Sequence, residues 1–463
     1  GIAILALVVA AIALALRPLI RQKDRQLRLV LAILAAIEIV KLAMLPMFPG
    51  YIDDIQQFTL WAWVMARLGP AHIYDPQYVC KYTPAYLFAL WPAGTVAALI
   101  SPARAGEALR ICAESPPIVA DFVLAAAAYA AMRRLVSPGL AMAGTLLVAL
   151  NPALVYTSLI WGQNDSVLAA AILLSVMMAA DSRYAIAWAM AALAVLLKAQ
   201  GLILLPVLGW WTLLEAHPRD WLCAAAAAAA VVILTIAPFQ LNQPWHLLPD
   251  LYTESLEWFP RATANAFNLM FLLGGLRSYD SAKVFGISYF ALGNIIFPAV
   301  YPLAGLILWR MREFRSLLLS TFLVYLGMFL FETRIHERYL YLAVALMAPL
   351  MFDVRASLCL YAALTVTLLF NLVYVKMLLE GQAFIAVNDP MAIVAATINL
   401  VAFAIAAVWG LAVAYPETAC SPRLPVFARW LLQPPEIAVA TGDRATSKTR
   451  LKATTSKRRR RSR

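Results

Sequence analysis

The chain has 463 residues, of which 63% are hydrophobic and only 13% are charged. Soluble domains carry about 25% charged residues, so this composition excludes an ordinary soluble fold, and it also excludes a disordered chain. Apolar runs long enough to cross a bilayer recur along most of the chain, as in bundles of membrane helices. The sequence therefore predicts an all-α polytopic membrane protein.

The net charge of +12 comes mainly from the C-terminus. Nine of the 37 Lys and Arg residues lie in 448–463, without an acid among them, so the rest of the chain carries only +3. We interpret residues 416–463 as a basic, disordered cytoplasmic tail that reinforces the topology. Binding of 457–461 to membrane lipids with anionic headgroups is the alternative. Nothing in this pattern predicts a nucleic-acid partner.

In chain order, the apolar runs predict about thirteen membrane crossings. They lie at residues 2–16, 29–47, 116–132, 138–152, 166–180, 184–197, 200–214, 221–237, 285–308, 316–332, 339–352, 356–375 and 392–415. A further apolar run, 84–100, is left out of this set. Counting it as a crossing would place Arg133 and Arg134 on the opposite side from the basic residues of 17–28, against the positive-inside rule.

This threading gives one transmembrane domain, residues 1–415, with two large extracytoplasmic loops at 48–115 and 238–284. We expect 84–100 to be a re-entrant or interfacial helix in the first loop, next to an amphipathic helix at 54–68. Cys80 and Cys112 fall in this loop, and two unpaired thiols are the simpler expectation, with a disulfide as the alternative.

Polar motifs collect at the outer ends of the predicted spans. They are Asp53 and Asp54; Trp161, Gly162, Gln163, Asn164 and Asp165; Lys198, Ala199 and Gln200; Asn265 to Asn268; and Arg334, Ile335, His336, Glu337 and Arg338. Ionisable residues at membrane depth suggest function, whereas ordinary loop residues at the water boundary are the alternative interpretation.

These residue types suit chemistry on a phosphorylated substrate. A carboxylate of the first loop could deprotonate a hydroxyl group. Lys198, Arg334, His336 and Arg338 could bind a phosphate, because guanidinium and ammonium groups suit phosphate oxygens. The chain has no Walker glycine loop, no GxSxG elbow, no HExxH motif and no dinucleotide fingerprint. ATP-driven, serine-hydrolase, zinc-peptidase and NAD chemistry are therefore disfavoured.

Residues 50–350 resemble the GT-C superfamily of integral-membrane glycosyltransferases, both the bacterial enzymes and the dolichyl-phosphate-glucose-dependent glucosyltransferases. The first loop carries the resemblance at 54–58, 61–62, 69–70, Tyr74 and 82–87, and it continues at 151–152, 161–165, 198–200, 265–268 and 333–340. The Trp-Gly-Gln-x-Asp and His-Glu-Arg-Tyr elements in this order are its most specific part.

The resemblance implies a polyprenyl-phosphate sugar donor, an active site on the extracytoplasmic face of the plasma membrane, and inversion with a first-loop carboxylate as base. Asp54 keeps the family's spacing to Trp61 and is the preferred base, with Asp53 as the alternative. Either acid could instead cap the following helix.

The resemblance also assigns the remaining site residues. Donor-phosphate binding falls to Arg334, His336, Arg338 and Lys198. Substrate binding falls to Trp161, Gln163, Asp165, Gln200, Asn265, Asn268, Glu337 and Tyr82, although Asp165 could equally cap the next helix.

Two departures from the family pattern concern the first loop. Lys81 stands where the family usually has an acid, and Thr83 replaces the first proline of its Tyr-Pro-Pro element. No cofactor or metal ligand set is predicted, and dependence on a divalent metal stays open.

The sugar, mannose or glucose, stays open as well. The acceptor could be a glycolipid, a lipid-linked glycan, a cell-envelope polymer or a protein. The alternative from a different class is a secondary transporter or a flippase for lipid-linked sugars. Such a protein should have polar residues near mid-span and repeated broken helices, which this sequence does not show.

Overall fold

The computed structural model describes residues 2–21, 24–100, 105–419 and 430–433. Its helices are α1 Ile2–Arg21, α2 Arg25–Met44, α3 Ile52–Arg67, α4 Pro84–Ile100, α5 Ala105–Met132, α6 Pro138–Ala149, α7 Pro152–Val155, α8 Asp165–Ala180, α9 Tyr184–Leu197, α10 Leu204–Glu215, α11 Pro218–Ile236, α12 Leu247–Glu257, α13 Leu269–Leu272, α14 Tyr289–Ile296, α15 Val300–Arg310, α16 Phe314–Phe331, α17 Leu340–Met347, α18 Arg355–Leu379, α19 Pro390–Ala414 and α20 Pro416–Ala419. A small antiparallel hairpin, β1 Lys283–Val284 and β2 Ile287–Ser288, precedes α14.

Eight helical segments in the described part of the chain are long and apolar enough to cross a membrane. They are Gln26–Met47, Gly106–Met132, Pro138–Trp161, Pro218–Asn242, Tyr289–Arg310, Phe314–Phe331, Arg355–Leu379 and Pro390–Ala414. Four shorter apolar helices accompany them, at Pro84–Ile100, Asp165–Ala180, Tyr184–Leu197 and Ala199–Glu215. The prediction of an all-α polytopic membrane protein is confirmed, whereas the count of about thirteen crossings stays a prediction.

The bundle has central and peripheral helices. In α16, 83% of the crossing stretch is buried, and the helix packs against α8 and α17, whose residues are also almost all buried. Only 17% of the stretch Pro218–Asn242 is buried, and its exposed side chains are apolar, such as Leu222 and Ile233. Apolar residues exposed on a helix of this length suit contact with lipid.

The fifth helix begins eleven residues earlier than the predicted span 116–132. Pro116 and Pro117 lie inside α5, although a proline removes a helical N–H bond. The carbonyl of Cys112, which Pro116 leaves without its amide partner, accepts a bond of 2.8 Å from the Ser115 hydroxyl. This bond satisfies one of the two carbonyls that Pro116 and Pro117 leave without an amide partner.

The predicted span 138–152 also continues further than expected, as far as Trp161. Asn151 interrupts the helix and restarts it, because its side-chain oxygen accepts bonds from the amides of Ala153 and Leu154. Its amide nitrogen donates to the hydroxyls of Tyr361 and Thr365 at 2.9 and 2.8 Å. The helix then widens into a π-helical turn, Tyr156–Trp161, which ends at the polar motif 161–165.

The lengths of α4 and α5 favour an interfacial position for α4. The start of α5 lies nine residues, or about 13 Å, before Glu114. Glu114 binds the backbone of Gly50 beside the first polar motif. Only four residues, 101–104, separate α4 from α5 in the sequence, so the last residue of α4 lies within about 18 Å of the first residue of α5. If α4 crossed the membrane, its 17 residues would carry its last residue roughly 25 Å from its first, toward the end of the bundle that holds Arg133.

Ion pairs mark the opposite end of the bundle from the polar motifs. Arg133 binds Asp24 at 2.9 Å, and Arg134 binds Asp181 at 2.9 Å. Arg133 therefore lies beside Asp24, between α1 and α2, and Arg134 lies at the same end of the bundle.

Two cysteines of the first loop, Cys80 and Cys112, lie in the described part of the chain. Both are free thiols in this structure, Cys80 buried and Cys112 partly buried. The basic stretch 448–463 lies outside the described residues.

Candidate active site

Asp54 is the centre of a hydrogen-bonded group that joins the first loop to the motif 161–165. The Trp161 indole Nε1 donates to Asp54 Oδ2 at 3.1 Å, and the Gln163 amide Nε2 donates to the same oxygen at 2.5 Å. Neither bond uses Oδ1. Trp161 and Gln163 are buried, whereas Asp54 is only partly so. The carboxylate is thus held from the protein side and reachable from the other.

The helix that carries Asp54 begins two residues earlier than a cap at Asp53 would require, and three residues earlier than a cap at Asp54 would require. Tyr51 is the N-cap of α3, so Asp53 and Asp54 both lie in its first turn, and the interpretation of either as the cap is wrong. Acids in the first turn still favour the helix dipole. Asp53 is exposed and accepts a 2.7 Å bond from the Tyr51 hydroxyl. The two adjacent acids therefore have different environments.

Two glycines allow the first loop and the motif 161–165 to meet. Gly162 has φ of 82°, in the region that favours glycine, and it turns the chain after the π-helical turn. A side chain at Gly50 would come within 2.6 Å of the Trp161 carbonyl oxygen. The backbones are close enough for the Tyr51 amide to donate to that carbonyl at 2.9 Å.

Asp165 and Lys198 form a buried ion pair within the same region. Lys198 Nζ lies 2.7 Å from Asp165 Oδ1, and the two side chains are 9% and 2% exposed. Asp165 Oδ2 has no hydrogen-bond partner, nor does the neighbouring Gln163 Oε1. Asp165 is the first residue of α8 and Asn164 is its N-cap, so a capping role for Asp165 is excluded. Two buried acceptors therefore remain open at the site.

The motif 336–338 reaches the site through backbone pairing with the second loop. The Ala264 amide donates to the Ile335 carbonyl at 2.9 Å, and Ala264 and Asn265 form bridges with His336. The His336 ring packs edge-on against Phe259, with ring centroids 5.0 Å apart. The second loop thus sets the position of His336.

Arg338 and Glu337 form a second ion pair, with Arg338 Nη1 2.9 Å from Glu337 Oε1. The Glu337 side chain is only 2% exposed. Arg338 Nε is buried without a hydrogen-bond partner. A guanidinium with an open donor in a mostly enclosed site suits an anionic ligand group.

The charges of these motifs influence one another. Burial alone would lower the pKa of Arg338, but the carboxylates of Glu337 and Asp54 outweigh it and raise that pKa, so the guanidinium stays charged. Burial, with the nearby charges of Arg338 and Lys198, lowers the pKa of His336 well below its usual value. His336 is therefore neutral at pH 7 and can contribute a hydrogen bond but not a charge.

Tyr82 lies at the same site. Its hydroxyl donates to Asn164 Oδ1 at 3.3 Å, and its ring packs with those of Phe58, Trp61 and Tyr86.

Lys81 joins the two large loops. Its Nζ lies 3.5 Å from the ring centre of Trp258 and 3.8 Å from Glu254 Oε2. Lys81 of the first loop thus contacts two residues of the second loop.

The other predicted site residues have contacts of their own. Arg334 Nε donates to Asp280 Oδ2 at 2.6 Å. Asn268 is fully buried, and its amide binds the Phe329 carbonyl and the Phe271 amide. The carbonyl of Asn265 accepts from Asn371 at 2.9 Å. The backbone carbonyl of Gln200 accepts from the Tyr325 hydroxyl at 3.1 Å.

Sequence reasoning missed two carboxylates that border the site, Glu114 and Asp121. Glu114 falls in the predicted first loop, 48–115, and Asp121 falls in the predicted span 116–132, and the sequence predicts no role for either. Their spacing of seven residues places both on one face of a helix, and that spacing was the available signal. Glu114 Oε1 accepts from the Gly50 amide at 3.0 Å, and Asp121 Oδ2 accepts from the Ser158 hydroxyl at 2.6 Å.

In the described residues, no group of three or more His, Cys, Asp or Glu side chains is arranged to hold a metal ion. The chemistry available to the site is that of a held carboxylate, a charged guanidinium with an open donor, and buried acceptors suited to hydroxyl groups. Comparison with models of protein families and with curated proteins finds no match for this chain.

Proposed function

We propose that this protein is an inverting glycosyltransferase. In this proposal it moves a hexose, mannose or glucose, from a polyprenyl-phosphate sugar to a glycolipid, a lipid-linked glycan or another cell-envelope acceptor. The resemblance in the motifs supplies the donor class. The chain itself supplies the arrangement of groups that such a transfer requires.

The observation that carries the proposal is the environment of Asp54. Trp161 and Gln163 both bind Oδ2, so the carboxylate is oriented without use of Oδ1. A general base must be oriented and also within reach of the proton that it removes. Asp54 meets the first requirement, and its partial exposure meets the second.

In the proposed reaction, Asp54 takes the proton of an acceptor hydroxyl group. The acceptor oxygen forms a bond to the sugar C1 while the bond from C1 to the phosphate oxygen breaks. The polyprenyl phosphate leaves with that electron pair and gains one negative charge. Inversion follows because the new bond forms on the face opposite the leaving group.

Arg338 suits the growing charge on the phosphate, because it stays protonated and its Nε lacks a protein partner. The open acceptors Gln163 Oε1 and Asp165 Oδ2 suit sugar hydroxyl groups, which can donate to them. Lys198 is bound to Asp165, so in this proposal it orients the Asp165 carboxylate and adds a positive charge near the site.

The decisive experiment uses the purified full chain in lipid nanodiscs. Short-chain isoprenyl-phosphate mannose and the matching glucose compound, each labelled in the sugar, serve as donors, with a bacterial lipid extract as acceptor. We expect one donor to release isoprenyl phosphate and pass its label to a lipid product, above the level of empty nanodiscs. Consumption of neither donor would overturn the proposal. Movement of an unconsumed donor across vesicles would favour the flippase alternative.

The proposed extracytoplasmic location has its own test, in a variant without the native cysteines. Gln77 is exposed beside the site, and Arg219 is exposed at the opposite end of the bundle. A membrane-impermeant maleimide should label Gln77→Cys in intact cells and Arg219→Cys only after lysis. The reverse pattern would place the site in the cytoplasm.

A further inference from the structure

Helix α5 carries two buried carboxylates that the proposed reaction does not use. Glu114 and Asp121 are 1% and 6% exposed. They lie two helical turns apart on one face. Glu114 binds the segment before α3, the helix that carries Asp54, and Asp121 binds the π-helical turn that carries Trp161.

Glu114 holds the segment before α3. Its Oε1 accepts from the Gly50 amide at 3.0 Å, while its Oε2 lies 2.8 Å from Arg110 Nη1. Asp54 follows Gly50 by four residues, within the first turn of α3. The position of Asp54 along this face therefore depends on the contact of Gly50 with α5.

Asp121 holds the π-helical turn. Its Oδ2 accepts from the Ser158 hydroxyl at 2.6 Å and lies 3.0 Å from Lys41 Nζ. Lys41 also binds Glu38. A carboxylate without a partner is costly in such a buried position, so the Lys41 contact holds Asp121 in place. Ser158 precedes Trp161 by three residues in the same turn.

We propose that Glu114 and Asp121 are positioning residues for transfer. Through Gly50 and Ser158 they hold the start of α3 and the π-helical turn at the separation that allows the Trp161 indole to bind Asp54. This inference rests on the proposed function, and both residues act through Asp54 without contact with substrate. A displacement of about 1 Å at a reacting group can cost 10²-fold in rate.

The test uses Ser158, because replacement of Asp121 leaves the buried Lys41 without its full set of partners and endangers folding. Ser158→Ala removes the hydroxyl, and Ser158→Thr restores it. Ser175→Ala is the matched control, since Ser175 is a fully buried serine that donates to the Ala187 carbonyl at 2.8 Å, away from the site.

With the short-chain mannose and glucose donors, Ser158→Ala should lower kcat about tenfold and leave the donor KM within about twofold. Ser158→Thr should recover most of the rate, and Ser175→Ala should match the wild-type protein. Because the effect passes through Asp54, Ser158→Ala should add little to Asp54→Asn. A residue that only supports folding would lower the amount of active protein and leave kcat per folded molecule unchanged.

The outcomes separate this inference from the proposed function. If Asp54→Asn is inactive while Ser158→Ala has the kcat of Ser175→Ala, the positioning role is overturned and the proposed function stands. Additive losses in the Asp54→Asn background would also overturn the positioning role. A fully active Asp54→Asn protein would overturn both.

Discussion

Replacement of Asp54 by Asn is the sharpest test of the chemistry, because it removes proton acceptance and little else. The asparagine side-chain oxygen can still accept from the Trp161 indole and the Gln163 amide, which both bind Oδ2 in the native chain. The two bonds lose their charge-assisted character, so we expect a stability loss of only about 1 kcal/mol at this partly exposed position. The folded protein should therefore survive in detergent.

The expected loss of activity is much larger than the loss of stability. General-base catalysis contributes about 10²- to 10⁴-fold, which corresponds to roughly 3–5 kcal/mol in the barrier. The assay is single-turnover release of isoprenyl phosphate, with the unfolding midpoint measured on the same sample. Asp53→Asn is the matched control, because Asp53 is exposed and bound only by the Tyr51 hydroxyl among the described contacts. A rate near wild type in Asp54→Asn would refute the reasoning, and an inactive Asp53→Asn beside it would move the base to Asp53.

Three further predictions concern the charged residues. Arg338→Gln should raise the donor KM about tenfold or more, and it should also lower the unfolding midpoint because the buried Glu337 loses its cationic partner. An unchanged KM in the folded protein would leave the guanidinium only its role in the ion pair. Asp165→Asn should destabilise the protein by about 3–5 kcal/mol, because Lys198 loses its partner in a buried site. The double variant Asp165→Asn with Lys198→Met should recover part of that loss in thermal unfolding, and a double variant no more stable than the single would argue against the pair. For His336, the folded pKa lies below the unfolded value, so its contribution to stability is full above pH 6.5 and is lost as the pH falls. We expect this residue to destabilise the protein as the pH falls from 6.5 to 5.5, an effect absent in His336→Gln, and equal acid sensitivity in both proteins would contradict the assignment.

The helices were predictable because their signal is local. A run such as 317–331 is apolar apart from Ser320, Thr321 and the hydroxyl of Tyr325, and this composition predicts a membrane helix. Its burial depends on its central place in the bundle, since the even more apolar stretch Pro218–Asn242 is mostly exposed. The sequence did not predict that the helical segment restarts at Asn151 and continues to Trp161. The contacts of the Asn151 side-chain nitrogen were not predictable either. It donates to Tyr361 and Thr365, which lie more than 200 residues away, and no nearby residue in the sequence indicates those partners.

The site was predictable as a set of motifs but not as a set of contacts. Sequence placed Asp165 and Lys198 at the same end of the bundle, and charge alone does not show that they bind each other. Lys198 was therefore assigned to the donor phosphate, although its nearest anion is Asp165 at 2.7 Å. The same limit applies to Arg334, whose partner Asp280 lies in a different loop.

The close approach of Gly50 to the carbonyl of Trp161 has a consequence for the tolerance of the chain to mutation. Even alanine at position 50 would place a carbon 2.6 Å from a backbone oxygen, which cannot rotate away as a side chain can. Gly209 and Gly139, in contrast, have nothing within 4 Å of an added carbon. In a library that varies each glycine in turn, surviving clones should accept many residues at 139 and 209 and almost none at 50. A position without any functional group would then rank with the carboxylate of Asp54 among the most restricted in the chain.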